Sequence, residues 1–291
     1  MSVAVGFLAR GGEGAQDAVR AFVQSYKEMP AEYPHDLVVM VKGWSADDGD
    51  IAAMFAGLDH RIIELPDDGF DWGAYMRTAR QLDHEWIVFF NTHTRLASAG
   101  WLRKMMDAAG ESVGIVGATA SWGSVYTPLM AAWPAVMFTY RNRGLFKACV
   151  GAALRTGEFL IWALPLRISF APAPNPHVRS NGFLMRRQLF CDYADTVKIP
   201  LSKHAAYKLE SGRRGLTRYV MSRGLMPVIA GADGRAYQIP DWPISRTFQN
   251  PDQSNLLISD NQTRLYAQSS DEQRRLMEGA AWYGFRPADG R

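Results

Sequence analysis

The chain has 291 residues, of which 47% are hydrophobic and 21% charged, with a net charge of +3. This balance excludes a disordered chain, gives no indication of a nucleic-acid partner, and allows one large domain or two small ones at ~150 residues each. The two cysteines, Cys149 and Cys191, make no CxxC pair, so neither a zinc site nor a disulfide framework is indicated and a reducing compartment is the simpler expectation.

"VAVGFLA" reads as a first strand ending at "RGGEG". No basic stretch precedes its short apolar run, so it lacks the pattern of a signal peptide. Val19, Phe22, Val23 and Tyr26 share one helical face and predict a helix over Ala15–Glu28. "HDLVVMVKGW" is a second strand of the continuous, doubly buried type. A short helix over 51–57 and a third strand, "HRIIELP", follow. "FDWGAYMRTARQL" predicts a helix, "EWIVFFN" a fourth strand, "AGWLRKMMDAA" a helix and "VGIVGATAS" a fifth strand. The alternation predicts an α/β fold, a mostly parallel Rossmann-like sheet flanked by helices. Ligands of such sheets bind beyond the carboxyl ends of the strands. The loops at 10–14, 42–50, 67–71 and 91–95 are therefore the ones that carry function.

Residues 112–140 carry no charge, but glycines, serines and prolines interrupt them, and a membrane span needs ~20 apolar residues in one continuous helix. The 124–176 segment reads as an amphipathic helical insertion within a single 1–291 domain. Within it, 141–170 mixes Arg141, Arg143, Lys147, Arg155 and Arg167 with aromatic and aliphatic residues. That composition suits a membrane interface; a core helical pair or a dimer interface is the alternative. Beyond it, "NGFLMRRQLF" predicts a strand leading into a helix and "LTRYVMSRGL" a helix. "PVIAGADGRAYQIP" predicts a hairpin turning at Asp233-Gly234, and 272–282 a final helix.

The fourth strand stops abruptly on Asn91-Thr92-His93-Thr94-Arg95. That stretch, with its preceding "GFDWGAYMRTARQL", resembles the glycine-bearing helix and metal-motif strand of GT-A glycosyltransferases, above all the large inverting group that builds bacterial surface polysaccharides. "WLRKMMDAAGESVGIVGATAS", "SNGFLMRRQLF" and "YKLESGRRGLTRYVMSRGL" resemble, in order, the next helix and strand, the strand before the acceptor-site helix, and the acidic pair with its helix. Two departures stand out. Asn91-Thr92-His93 replaces an Asp-x-Asp motif, and Glu210-Ser211 replaces a Glu-Asp pair.

The resemblance implies a nucleotide-sugar donor and a glycan or lipid-linked acceptor, in cell-envelope polysaccharide synthesis at the cytoplasmic face of a membrane. It places nucleotide or diphosphate contacts at Ala9, Lys42, Asp71, Asn91, His93 and Arg95, and the catalytic base at Glu210. An Asn oxygen and a neutral imidazole two residues apart can face one ion, and they suit Mn²⁺ better than Mg²⁺. Direct phosphate contact by His93 and Arg95, or a capping role, remains open. Asp260 is a candidate late ligand, although "SDNQT" also reads as a helix N-terminus capped by Ser259 or Asp260. His177, Arg179 and Asn181 alternate onto one side, which suits the acceptor or the diphosphate, or else an exposed sheet face. Asp67, Asp68 and Asp71 form a polar turn in which one acid could meet the base or ribose. Glu210 could equally be a helix-entry acid. A helical glycine costs ~1 kcal/mol against Ala, so Gly73 indicates a close approach by nucleotide or strand. Two other readings stand beside this one: a sugar nucleotidyltransferase, and a non-catalytic binding or scaffold protein.

Overall fold

The computed structural model describes residues 1–127, 164–283 and 285. The central sheet contains β1 (Val3–Arg10), β2 (Asp36–Lys42), β3 (His60–Leu65), β4 (Trp86–Phe90), β6 (Val113–Gly117), β9 (Phe183–Arg186), β10 (Met226–Ala230) and β11 (Ala236–Tyr237). They lie in the order β3-β2-β1-β4-β9-β6-β10-β11. The pairs among β3, β2, β1 and β4 are parallel, as is β6 with β10; β9 runs antiparallel between β4 and β6. The expected mostly parallel sheet is thus present, and the hairpin expected at Asp233-Gly234 is β10–β11.

The strands are apolar on both faces because helices cover both. Ala4, Leu8, Val38, Met40, Ile87 and Phe89 face one layer, built on α3 (Phe70–Ala79), α5 (Arg187–Asp195), α6 (Lys203–Ser211) and α7 (Leu216–Ser222). Their neighbours Val5, Phe7, Val39, Val41, Val88 and Phe90 face the other, built on α1 (Ala15–Glu28), the segment around α2 (Ile51–Met54), and α4 (Trp101–Asp107). Strict alternation along each strand assigns one core to each face. Gly6 is required in this packing: a Cβ there would lie 2.9 Å from Cδ1 of Phe89. The chain finishes with α8 (Asn261–Gln268) and α9 (Asp271–Trp282).

Two short ribbons lie apart from the main sheet. β5 (Arg95–Leu96) pairs with β12 (Ile258–Ser259), and β7 (Ala120–Ser121) pairs with β8 (His177–Val178). They tie the last third of the chain to the carboxyl ends of the central strands.

The sequence reading placed no helix over 203–211. There Ser202 caps the first turn by accepting from the Ala205 N–H at 3.1 Å. Glu210 therefore sits in the last turn of α6, not at the opening of the 216–222 helix. Most of the expected 124–176 insertion, including most of the 141–170 surface, lies outside the described residues. Of its end, residues 164–169 are helical and Phe170 bridges Gly212. Among the described residues no helix is long and apolar enough to cross a membrane.

Candidate active site

β1 and β2 end side by side, with Arg10 opposite Lys42. The Gly11 N–H donates to the Lys42 carbonyl at 2.9 Å, and a Cβ on Gly11 would lie 2.1 Å from the Gly43 carbonyl. Only glycine fits so close an approach. The Gly12 N–H then donates to Asp48 at 2.9 Å. The other Asp48 oxygen accepts from the Ser45 N–H and hydroxyl at 2.8 and 2.9 Å. These donors hold the Asp48 carboxyl below the usual range and fix the loop after β1.

The Lys42 side chain is buried and donates to the Phe70 carbonyl at 2.7 Å, with Asp67 at 4.0 Å. Burial and the Arg10 charge lower its pKa, against the pull of Asp67, Asp71 and Asp68. Ala9 is different from its expected role. Its methyl lies in the core at 0% exposure, and the residue that reaches the rim of the strand is Arg10. Asp68 is committed to Arg77 at 2.6 Å. A Cβ on Gly73 would lie 2.9 Å from the Asp68 carbonyl oxygen and 3.4 Å from Ile199, so packing accounts for the glycine without nucleotide or strand.

Asp71 ties the two ends of the site together. Burial raises its pKa; Lys42, Arg10 and His93 oppose the shift and Glu210 adds to it. Groups from β1, β2, α3, the 91–95 turn and α6 are therefore close enough to feel one carboxylate. Tyr75, one turn along α3, has a buried hydroxyl with no hydrogen-bond partner among the described residues and feels Asp71 and Glu210.

The polar stop after β4 is a turn closed on itself. Asn91 Oδ1 accepts from the His93 N–H at 3.0 Å, and the Thr94 N–H donates to the Asn91 carbonyl at 3.2 Å. Asn181 latches that turn: its Oδ1 accepts from the Asn91 N–H at 2.9 Å and the Thr94 hydroxyl at 2.8 Å. His93 and Arg95 are exposed. Arg264, from α8, donates to the His93 carbonyl at 3.1 Å. Burial and the nearby Arg95 charge lower the Arg264 pKa, so two guanidinium groups crowd this rim.

The β5–β12 ribbon delivers Asp260 behind this turn. Its Oδ1 caps α8, accepting from the Gln262 and Thr263 N–H groups at 3.0 and 2.9 Å. Its Oδ2 accepts from Arg179 at 2.8 Å and from Asn181 at 3.4 Å. Arg179 also stacks on Phe248, with its guanidinium carbon 4.2 Å from the ring centre. The 177–181 segment is not an exposed sheet face, since His177 and Asn181 are buried. Glu210 accepts from the Ser180 N–H at 2.7 Å. A cavity of about 510 Å³ opens beside it, lined by His177, Arg179, Tyr207, Glu210, Phe248 and Gln262 among others. The helix-entry reading of Glu210 fails here, because its carboxylate lies at the helix end where the dipole disfavours negative charge.

The structure thus brings Lys42, Asp71, Asn91, His93, Arg179, Asn181, Glu210 and Asp260 to one region. It does not offer Asn91, His93 and Asp260 as an ion site. Both Asp260 oxygens are engaged, one by an arginine, and Asn91 Oδ1 closes its own turn. Among the described residues no group of three or more His, Cys, Asp or Glu side chains is placed to hold a metal. A donor set with its only carboxylate already neutralised does not fit a resident divalent cation. The residues that sequence reasoning missed are Asp48, Tyr75, Phe248 and Arg264. Only the "RGGEG" glycines hinted at one of them, by predicting a tight loop after β1.

The galactosyltransferase LgtC, solved with donor and acceptor sugar analogues, matches 98% of this chain and 98% of its own, with a TM-score of 0.50 and 10% identity. The chain has the GT-A fold. Glucosyl-3-phosphoglycerate synthase from Mycobacterium tuberculosis, solved with Mn²⁺, UDP and phosphoglyceric acid, matches 65% of this chain and 56% of its own at a TM-score of 0.35 and 15% identity. A 4-diphosphocytidyl-2C-methyl-D-erythritol synthase from Anaerococcus prevotii matches 84% of this chain and 95% of its own at 0.44 and 9% identity. These two scores are too low to argue from. No family model and no curated protein matches the sequence.

Proposed function

We propose that the protein is a glycosyltransferase that moves a sugar from a nucleotide diphosphate donor to a hydroxyl of a glycan or lipid-linked acceptor, with inversion. The observation that supports it most is the bonded chain that joins the turn after β4 to the cavity wall: Asn181 holds the 91–94 turn and meets Asp260, Asp260 holds Arg179, and Arg179 lines the same cavity as Glu210, while Asp71 feels both Lys42 and Glu210. The nucleotide lies along Arg10 and Asp71, with the buried Lys42 charge beneath them. The diphosphate faces His93, Arg95 and Arg264, which meet its developing charge as oriented cations. The acceptor enters the cavity beside Glu210, where Tyr207 and Phe248 offer ring faces and Gln249 and Gln262 offer amides. Its hydroxyl oxygen attacks the anomeric carbon as Glu210 takes the proton, and the bond to the diphosphate breaks with its electrons leaving on the nucleotide. No step is routed through a metal. Work at the cytoplasmic face of a membrane, in envelope polysaccharide synthesis, completes this reading, with the 141–170 segment turned to the lipid.

Calorimetry with UDP and GDP, in Mn²⁺ and in EDTA, tests the donor site. Binding of one nucleotide with the same affinity in both buffers is expected. Glu210→Gln should keep that affinity and lose about 10²–10⁴ in turnover. Absence of nucleotide binding would favour the scaffold reading, and pyrophosphate release from a sugar-1-phosphate and a nucleoside triphosphate would favour the nucleotidyltransferase.

A further inference from the structure

A second cavity, also of about 510 Å³, lies on the other side of α6, between that helix, the 196–198 loop and the end of the 164–169 helix. It is lined by Lys198, Lys208, Arg213 and Arg214, and by no carboxylate. The rest of its wall is largely apolar, with Ile168, Val197 and Leu209. Lys208 and Glu210 stand two positions apart on α6, roughly 200° around the helix, so this cavity is separate from the one that Glu210 lines. Among the described ion pairs none involves these four cations. They also burden their neighbours: after burial, Lys208 lowers the pKa of His204 and Arg213 that of Arg218. Uncompensated positive charge gathered around a cavity invites an anion.

The apolar residues beside this cavity say which kind. Ile168, in its wall, is 67% exposed; Leu164, one turn earlier in the same helix, is 57% exposed, and Leu201, three residues after the lining Lys198, is 84% exposed, the highest value for a large apolar side chain among the described residues. Single exposed apolar residues are ordinary. Three on the segments that carry a basic cavity make an amphipathic face, of the kind that lies on anionic bilayers. We propose that this face docks on a membrane surface, with the phosphate headgroup of an anionic lipid in the basic cavity and Leu164, Ile168 and Leu201 in the acyl boundary. The inference rests on the membrane part of the proposed function, since Leu164 and Ile168 belong to the 141–170 segment, but it uses described residues outside the transferase site and does not require transferase activity.

Cosedimentation of the full chain with phosphatidylcholine vesicles, with and without phosphatidylglycerol, tests it. Binding is expected only with the anionic lipid, and it should weaken as salt rises. Each cation near such a surface contributes about 1 kcal/mol, or about fivefold, so Lys198→Glu/Arg214→Glu should lose at least about 25-fold in partitioning. Leu201→Asp should also weaken binding, and Lys27→Glu, on α1 across the sheet, should not. Equal binding to neutral vesicles, or an unaffected double variant, would overturn the proposal. So would a thermal shift by inorganic phosphate, lost in the double variant, without vesicle binding; the cavity would then serve a soluble anion. The same double variant should bind nucleoside diphosphate like the parent, so failure here is distinguishable from failure of the transferase reading.

Discussion

Asp260→Asn separates the two jobs of one buried carboxylate. Asn is as good an N-cap as Asp, so the bonds to the Gln262 and Thr263 N–H groups can persist. What goes is the acceptor for Arg179, which is replaced by an amide donor facing a guanidinium. Stranding one partner of a fully buried ion pair costs about 3–5 kcal/mol. The Arg179 side chain is 15% exposed and stacks on Phe248, so water can reach part of it. A loss of about 2–4 kcal/mol is the result for this pair. Asp260→Ala should cost about 1 kcal/mol more, because the cap is lost as well.

Urea denaturation at constant slope measures both variants. Arg179→Met removes the stranded cation, so the double variant Arg179→Met/Asp260→Asn should recover about 2 kcal/mol over the sum of its parts. A loss below about 1 kcal/mol for Asp260→Asn, or additivity within about 0.5 kcal/mol, would refute the pairing as a structural element. The pH dependence has a definite sign. Burial raises the Asp260 pKa, but Arg179, the Thr263 N–H and Asn181 more than offset it and hold it below the ordinary 3.8. Its contribution is therefore complete above the unfolded value and is lost as pH falls below about 4 toward the folded one. The gap between parent and Asp260→Asn should close over that acid range.

Asp71→Asn should raise Tm at pH 7 and weaken nucleotide binding. Burial raises the folded pKa of Asp71, so its ionised form penalises the fold above that value and the penalty is relieved as pH falls through it. The Tm advantage should fade on acidification, and a lower Tm at pH 7 would contradict the reading. Asn181→Ala deprives the Asn91 N–H and the Thr94 hydroxyl of their acceptor and should cost about 1–3 kcal/mol in denaturation, and Asn181→Asp, which keeps the acceptor but sets a second buried carboxylate against Asp260 Oδ2, should cost at least as much at neutral pH. Tyr75→Phe removes a buried hydroxyl without a partner and should leave stability equal or higher. A drop in nucleotide affinity for Tyr75→Phe would show instead that the hydroxyl waits for a ligand.

The legible parts of this fold are those with many residues repeating one rule. β1, β2 and β4 are doubly buried, so they appear as unbroken apolar runs, and α1 shows its buried stripe at Val19, Phe22 and Val23. The ribbons β5–β12 and β7–β8 have two residues per strand and no pattern to show; tertiary packing alone makes them. α6 buries only Leu209 and Ser211, too little for an apolar stripe. Strand ends pointed to the candidate site, and "SDNQT" announced the cap at Asp260. Its bond to Arg179 spans 81 residues of sequence, and that of Asn181 to Thr94 spans 87. Such distances are invisible to local reading, so the ion-site expectation for Asp260 could not be tested against the competing arginine.

The unusual motif makes sense once those distant partners are counted. Arg95 and Arg264 crowd the rim beside His93, and Arg179 is clamped just behind it by Asp260 and Phe248. Carboxylates at positions 91 and 93 would meet these guanidinium groups before they met an ion, and each pair formed would cancel charge that a diphosphate could use. Asn91 avoids the conflict: it shapes the turn through its neutral oxygen and brings no negative charge to Arg95 and Arg264. Asn181 then draws the β4 turn to the 179–181 segment through neutral hydrogen bonds, without an ion. Asn91 and His93 in place of acids, Arg264 beside them and the burial of Asp260 against Arg179 are consistent with one another as a single electrostatic arrangement. In the proposed reading, the strand tips would supply positive charge directly to the diphosphate.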